Sequence, residues 1–403
     1  MLANFSRKHL CFQPAAFLSQ RLISFQRAEF TRSKPRFCTS SVGPAPEGWA
    51  MVRQERLDEL VSAEVGYLAQ VPIRSVSMQE IIDCLDPEAA KVAVLDDVSK
   101  RYAMRIRLIE SLTGWENVAE LVKSHKLLTD WFSRLRSVPL EISHADFVKV
   151  VRELRSEGNQ GVSILTKGMH GLKQQRCSDH TDEFFNLFLD AYFRSYFASN
   201  MLMDQYVALA SREDGGYARP TGIIDLQCNT VEVCQMAKNM ASNLCFAYAG
   251  LQPVCAIESY EAGKLGPQNT PSHTPYVTNV LRYILLEILK NSFKATADYT
   301  KERAGSGMEK HPTHVLISAN EAHVAIRISD RAGGIPYEVG DAIWSYLYGS
   351  ADPTPLAGYG VGLPLSRLYA EFFGGKLEIR SFPGYGTDAF LLLPRLQSGQ
   401  VEE

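Results

Sequence analysis

Ala357-Gly-Tyr-Gly-Val-Gly-Leu-Pro-Leu-Ser-Arg-Leu-Tyr-Ala-Glu-Phe-Phe-Gly-Gly375 is the stretch on which the reading of this chain turns. Glycines alternate at Gly358, Gly360 and Gly362. A helical pattern follows at once, with Leu363, Leu365, Leu368, Tyr369, Phe372 and Phe373 mostly at steps of three and four. Pro364 suits a first helical turn, where its missing N–H is not needed, and Gly374-Gly375 read as the C-cap. A glycine loop feeding a helix N-terminus offers free backbone N–H groups and the positive end of the macrodipole, and its small residues admit phosphate oxygens. An ordinary turn before a packing helix has the same letters, so the remainder of the chain must decide.

Working outward, 403 residues suffice for about two or three domains. With 45% apolar and 22% charged residues the composition is globular, and no apolar run reaches the ~18 residues of a membrane span. The net charge of −3 hides an asymmetry. Residues 1–40 hold Arg7, Lys8, Arg21, Arg27, Arg32, Lys34 and Arg36 against the single acid Glu29, so the body is acidic. This Arg- and Ser-rich, acid-poor, amphipathic segment reads as a mitochondrial presequence, the alternative being a basic arm for nucleic acid. An acidic body argues against nucleic acid. The eight cysteines form no Cys-x-x-Cys and complete no zinc spacing. They read as reduced thiols of a matrix or cytosolic protein.

Residues 41–52, with Gly43, Pro44, Pro46 and Gly48, read as a linker. Residues 53–212 are largely helical in pattern: Lys100–Leu112, Trp115–Leu135, Ala145–Leu172 and Phe184–Leu209. Gly158 and Gly161 are expected to break the third of these. Long amphipathic helices with short connections predict a four-helix-bundle-like domain. Over 213–396 the pattern changes. Strands are expected at Ile223–Leu226, Val254–Glu258, Thr313–Ala319, His323–Asp330, Lys376–Ser381 and Thr387–Leu393, with helices at Thr230–Tyr248 and Thr278–Tyr299. That is an α/β sandwich with helices on one side of a mixed sheet, and α+β overall, with 397–403 as a short tail.

Three further patterns join the glycine loop. In Leu285–Lys294, Glu287 and Asn291 share a helical face, with Lys290 beside them. A carboxylate and a carboxamide one turn apart suit a hydroxyl and a Mg²⁺, although a solvated polar face looks the same. In Ile328-Ser-Asp-Arg-Ala-Gly-Gly-Ile-Pro336 an acid ends a buried strand ahead of glycines, so Asp330 is placed to accept from an adenine amino group or merely to cap a turn. In Gly384-Tyr-Gly-Thr-Asp388 a turn delivers Thr387 to a strand start, where its hydroxyl is placed to serve adenine directly or through water, although alone the stretch passes for hairpin chemistry.

In order these read Glu287-x-x-x-Asn291, Asp330-x-Ala-x-Gly334, Gly358-x-Gly-x-Gly362 and Gly384-x-Gly-Thr387. The set resembles the ATP-binding boxes of the GHKL superfamily of gyrase, heat-shock chaperones and histidine kinases. More closely it is similar to the mitochondrial pyruvate and branched-chain 2-oxo-acid dehydrogenase kinases, over roughly Arg53 to Pro394. The resemblance implies a GHKL (Bergerat) sandwich behind a regulatory and docking bundle. It implies a serine/threonine kinase of the mitochondrial matrix that uses ATP and Mg²⁺ on the E1 component of a 2-oxo-acid dehydrogenase complex. A homodimer and contact with an E2 lipoyl domain are implied too, with no nucleic acid and no membrane span. Residue by residue, Glu287 would orient and deprotonate the acceptor serine, and Asn291 would ligate Mg²⁺. Lys290 and Lys294 would lie near the nucleotide. Asp330 and Thr387 would hold adenine, with Gly334 admitting the ring. Gly358, Tyr359, Gly360, Val361, Gly362 and Leu363 would cradle phosphate, and Tyr346–Ala357 would form the ATP lid.

The chain departs from that family at several positions. Ala332 stands where the family has glycine. Gly158 or Asn159 replaces a histidine before a valine pair. Ser195-Tyr196 with Asn200 replaces Ser-Arg-x-x-x-Arg, and Gln205-Tyr206 replaces Gln-His. The family uses these positions for small-acid sensing and for support of the catalytic Glu. Ending at Glu403, without the long tail of the pyruvate-type kinases, the sequence leans toward the branched-chain type or a divergent third type. Two further readings stay open: a nucleotide-responsive docking module without transfer activity, and a histidine kinase using His125, His144 or His170.

Overall fold

The computed structural model describes residues 54–74, 76, 78–175, 181–211, 222–261, 273–302, 307–349 and 360–395. The presequence, linker and tail expected at 1–40, 41–52 and 397–403 lie outside them. The chain opens with helices α1 (Gln54–Leu68), α2 (Met78–Asp83) and α3 (Pro87–Ala93). A π-helical turn, Val94–Val98, joins α3 to α4 (Ser99–Glu110). Then come α5 (Ala119–Arg136), α6 (His144–Gln174) and α7 (Asp182–Ala210), and α4 to α7 form the four-helix bundle. Ser143 and Thr181 cap α6 and α7, each hydroxyl accepting a first-turn N–H.

Contrary to expectation, Gly158 and Gly161 do not break α6. At Gly161 the reason is packing: a Cβ there would lie 3.2 Å from the Trp131 ring, as one on Gly168 would lie 2.8 Å from Leu121. The small residues let α5 approach closely, and the burial gained outweighs the helix cost of glycine, about 1 kcal/mol each.

The second half holds β1 (Asp225–Asn229), α8 (Thr230–Ala249), β2 (Cys255–Glu261), β3 (His273–Tyr276), α9 (Thr278–Glu302), β4 (Thr313–Ala319), β5 (His323–Ser329), α10 (Gly362–Phe372), β6 (Lys376–Phe382) and β7 (Gly386–Pro394). Five strands form a mixed sheet in the order β2-β4-β5-β7-β6, with only β2 and β4 parallel. The first strand lies at Asp225–Asn229 rather than Ile223–Leu226. It pairs with β3, which the sequence reading lacks, in a separate two-stranded ribbon. Alternation along β4, β5 and β7 buries Val315, Ile317, Val324, Ile326, Ile328, Ala389, Leu391 and Leu393 on one face. The other face carries Leu316, Ala325, Phe390 and Leu392 toward solvent.

Gln54–Glu403 forms one contact unit. Phe197 of α7 stacks on Tyr369 of α10 at 4.1 Å and meets Phe372 and Phe373 edge-on. Among the described residues the five cysteines form no disulfide, and no helix is long and apolar enough to cross a membrane.

Candidate nucleotide site

Between α9 and the strand ends of the sheet lies a cleft of about 280 Å³. Ile288, Ile328, Ile335 and Ile379 give it apolar walls, and Asn291, Ser292, Asp330 and Thr387 supply its polar groups. Gly360 and Leu363 close the side from which α10 begins. A flat apolar slot with a few convergent polar atoms suits a base.

Asp330 follows β5 and is only 3% exposed. Its Oδ1 accepts from the N–H groups of Ala332 and Thr387, each at 3.2 Å, and its own N–H donates to the Thr387 carbonyl at 2.9 Å. Burial pushes its pKa above the usual carboxylate range, while the two backbone N–H groups and the Ser292 hydroxyl oppose the rise. Ala332 thus serves the site through its N–H, and the left-handed turn falls on Gly333 and Gly334, at φ 82° and 70°. Gly334 has no alternative, since a Cβ there would sit 2.3 Å from the Phe382 carbonyl oxygen. Gly386, which the sequence reading left out of the site, is equally confined: its Cβ would lie 2.2 Å from the Asp330 carbonyl oxygen. The Thr387 hydroxyl shares a 3.0 Å hydrogen bond with Ser381, whose own hydroxyl accepts from Ile335 N–H.

On α9, Lys290 Nζ donates to both Glu287 oxygens, at 2.9 and 3.1 Å. Both side chains are largely buried, whereas Asn291 is exposed along the cleft. A Cβ on Gly362 would lie 2.3 Å from Glu287 Oε2, so glycine here lets the carboxylate rest against the start of α10. Gly360 (φ 79°) is held open by the Tyr348 carbonyl oxygen, 2.4 Å from where its Cβ would be. α10 starts at Gly362 after Val361, and among the described residues no side chain caps its first turn. Gly358, Tyr359 and most of the expected lid lie outside the described residues.

Lys294 is not brought to the cleft lining. It pairs with Asp298 at 2.7 Å and lies 5.9 Å from the Tyr248 ring. Tyr283, one turn before Glu287, is a neighbour the sequence reading missed. Its ring lies 5.2 Å from Tyr369, and burial, with the Glu287 charge next in size, holds its phenol well above the ordinary range. The histidines proposed as phospho-acceptors have structural partners in the bundle. His125 bonds Glu110 at 2.9 Å, His144 bonds the Tyr206 hydroxyl at 3.1 Å, and His170 is buried. Among the described residues no cluster of three His, Cys, Asp or Glu is placed to hold a metal.

Residues 277–397 match the family described as "Histidine kinase-, DNA gyrase B-, and HSP90-like ATPase". Residues 77–225 match "Mitochondrial branched-chain alpha-ketoacid dehydrogenase kinase". The chain is 31% identical over 344 residues to pyruvate dehydrogenase (acetyl-transferring) kinase isozyme 4, mitochondrial, of Ictidomys tridecemlineatus, covering 83% of this chain and 76% of that one. It is 30% identical to the same isozyme of Homo sapiens, covering 83% and 77%. To isozyme 3 of Mus musculus it is 31% identical, covering 64% and 63%.

Proposed function

The chain belongs to the mitochondrial family of pyruvate and branched-chain 2-oxo-acid dehydrogenase kinases, and on that premise we propose that it is an ATP-dependent serine/threonine kinase of the matrix acting on a dehydrogenase E1 component. The observation that carries the reading is the meeting, at one cleft, of Asp330, Thr387 and Asn291 with the start of α10, against which Glu287 of the Glu287–Lys290 pair rests at Gly362. In this reading residues 53–212 dock the complex, and residues 213–396 bind nucleotide and carry the chemistry.

Asp330 accepts from the adenine amino group, and Gly334 lets the ring reach it. The N–H groups that open α10 receive phosphate oxygens. Glu287 takes the proton of the acceptor serine as its oxygen forms a bond to the γ-phosphorus. The bond from that phosphorus to the β-phosphate oxygen breaks, and ADP leaves. Lys290 fixes the direction of the Glu287 carboxylate. The exposed Asn291 carboxamide oxygen would hold a Mg²⁺ beside the phosphates. When bound, Mg²⁺ would neutralise phosphate charge. Positioning and charge neutralisation are most of what phosphoryl transfer asks of a protein. A homodimer across the open sheet face and contact with an E2 lipoyl domain complete the proposal.

The test is transfer of labelled γ-phosphate from Mg-ATP to purified pyruvate and branched-chain E1 components. An acid-stable label on one E1 is expected, reduced by about 10³-fold or more in Glu287→Gln and Asn291→Ala. Bound ATP without any transfer would turn the reading toward a docking module, and acid-labile label on a histidine of this chain would turn it toward a histidine kinase.

A further inference from the structure

We propose that Asn186 and Asp190 of α7 are positioning residues for the ATP cleft, although they lie in the helical half and line no part of it. The inference rests on the nucleotide reading above. Asn186 Oδ1 accepts two hydrogen bonds from a segment some 160 positions away in sequence, from Ser345 Oγ at 3.1 Å and from Tyr346 N–H at 3.0 Å. A backbone N–H only donates, so the acceptor must be the carboxamide oxygen. One turn along, Asp190 Oδ1 accepts from the Tyr346 hydroxyl at 3.2 Å. Tyr346 is 5% exposed and packs 5.4 Å from the Phe193 ring, so this is a buried seam rather than a surface contact.

The seam leads to the cleft in two residues. Tyr348 forms part of the cleft wall, and its carbonyl oxygen occupies the space that fixes residue 360 as glycine. Gly360 in turn leads into α10, whose start faces the phosphates in our reading. α7 also grips the far end of that helix, for Arg194 binds Asp190 at 2.6 Å and Glu371 at 3.2 Å. One helix of the bundle therefore sets both the wall at Tyr348 and the lie of α10. Among the described residues the Tyr346 N–H has Asn186 as its hydrogen-bond acceptor, and a buried donor left unpaired shifts its backbone or stays unsatisfied.

The experiment measures ATP affinity by calorimetry, and ATP KM and kcat on the E1 substrate, for the full chain and for Asn186→Leu, Asn186→Asp and Tyr346→Phe. Asn186→Leu is expected to raise the ATP Kd and KM about tenfold, with kcat at saturating ATP within about threefold of wild type. Asn186→Asp keeps the acceptor and is expected to stay within about threefold in Kd. A folded Asn186→Leu with wild-type affinity overturns the proposal. So does equal loss in the Leu and Asp variants, which would make the effect one of packing. Should Asn186→Leu fail to fold, Tyr346→Phe deletes only a hydroxyl, and an unchanged Kd there overturns the proposal equally. A wild-type chain that binds no ATP overturns the nucleotide reading itself, whereas wild-type binding with indifferent variants overturns this inference alone.

Discussion

Asp330 holds its turn with one carboxylate oxygen, Oδ1, which accepts from Ala332 and Thr387, while the Ser292 hydroxyl also bonds the carboxylate; in the proposed reading Oδ2 is the atom that meets adenine. That division predicts the behaviour of Asp330→Asn. To keep both backbone partners the carboxamide oxygen must take the place of Oδ1, so the NH₂ group faces the adenine amino group, donor against donor. The ATP Kd is expected to rise at least about tenfold by calorimetry. Stability is expected to move the other way. Burial raises the folded-state pKa of Asp330, so the native carboxylate costs stability above that pKa, and the cost fades as pH falls through it toward the ordinary carboxylate value. Asp330→Asn removes the charge, and its melting temperature at pH 7 to 8 should equal or exceed that of wild type. The margin should close at acidic pH, as a melting series from pH 8 to pH 4 would reveal. A variant that melts lower at every pH would mean that the charged acceptor holds the turn more strongly than burial penalises it.

Helix α6 shows where element-level reading succeeds and where it stops. Its glycines look alike in sequence and differ in surroundings: a Cβ on Gly158 meets nothing within 4 Å, while one on Gly168 meets Leu121 at 2.8 Å. Gly158→Ala should therefore stabilise the chain by about 0.5–1 kcal/mol, and Gly168→Ala should destabilise it by about 1–3 kcal/mol. Urea unfolding of the two variants side by side checks the contrast, and equal effects would refute it. The same logic separates what was legible from what was not. β4 reads correctly as Thr313–Ala319 because burial alternates along it without exception. The glycines at 334 and 360 stand out because each sits in a loop at positive φ, a conformation that local sterics reserve for glycine. β3 stays hidden because four residues including Pro275 carry too little pattern, and its partner β1 is far off in the chain. The bond from Asn186 to Tyr346 has no local signal at all, since neither residue is unusual where it stands.

At the scale of the whole molecule the question is what the outer face of the five-stranded sheet meets. Burial of its other face under α8, α9 and α10 leaves Leu316, Ala325, Phe390 and Leu392 grouped on neighbouring strands. Phe390 and Leu392 are 39% and 40% exposed, and β5 sets Arg327 opposite Phe390 and Ala325 opposite Leu392. On β6, Glu378 and Lys376 stand across from the same pair, so the apolar strip of Ala325, Leu392 and Phe390 has Arg327, Glu378 and Lys376 as charged neighbours. This is the pattern of a self-complementary surface: a dry centre for burial and a polar rim for register. The proposed homodimer places a second copy of the sheet against it. Phe390→Glu puts one charge into each half of that interface, and burial there penalises the pair even with Arg327 across from each on β5. Sedimentation equilibrium should then show a monomer where the proposal expects a wild-type dimer, with the dimer Kd weakened by at least about a hundredfold. ATP affinity should change little, because the strip and the cleft lie on opposite faces of the sheet. An unaltered dimer would move the interface elsewhere, and a parallel loss of ATP binding would mean that the two faces of the sheet are not independent.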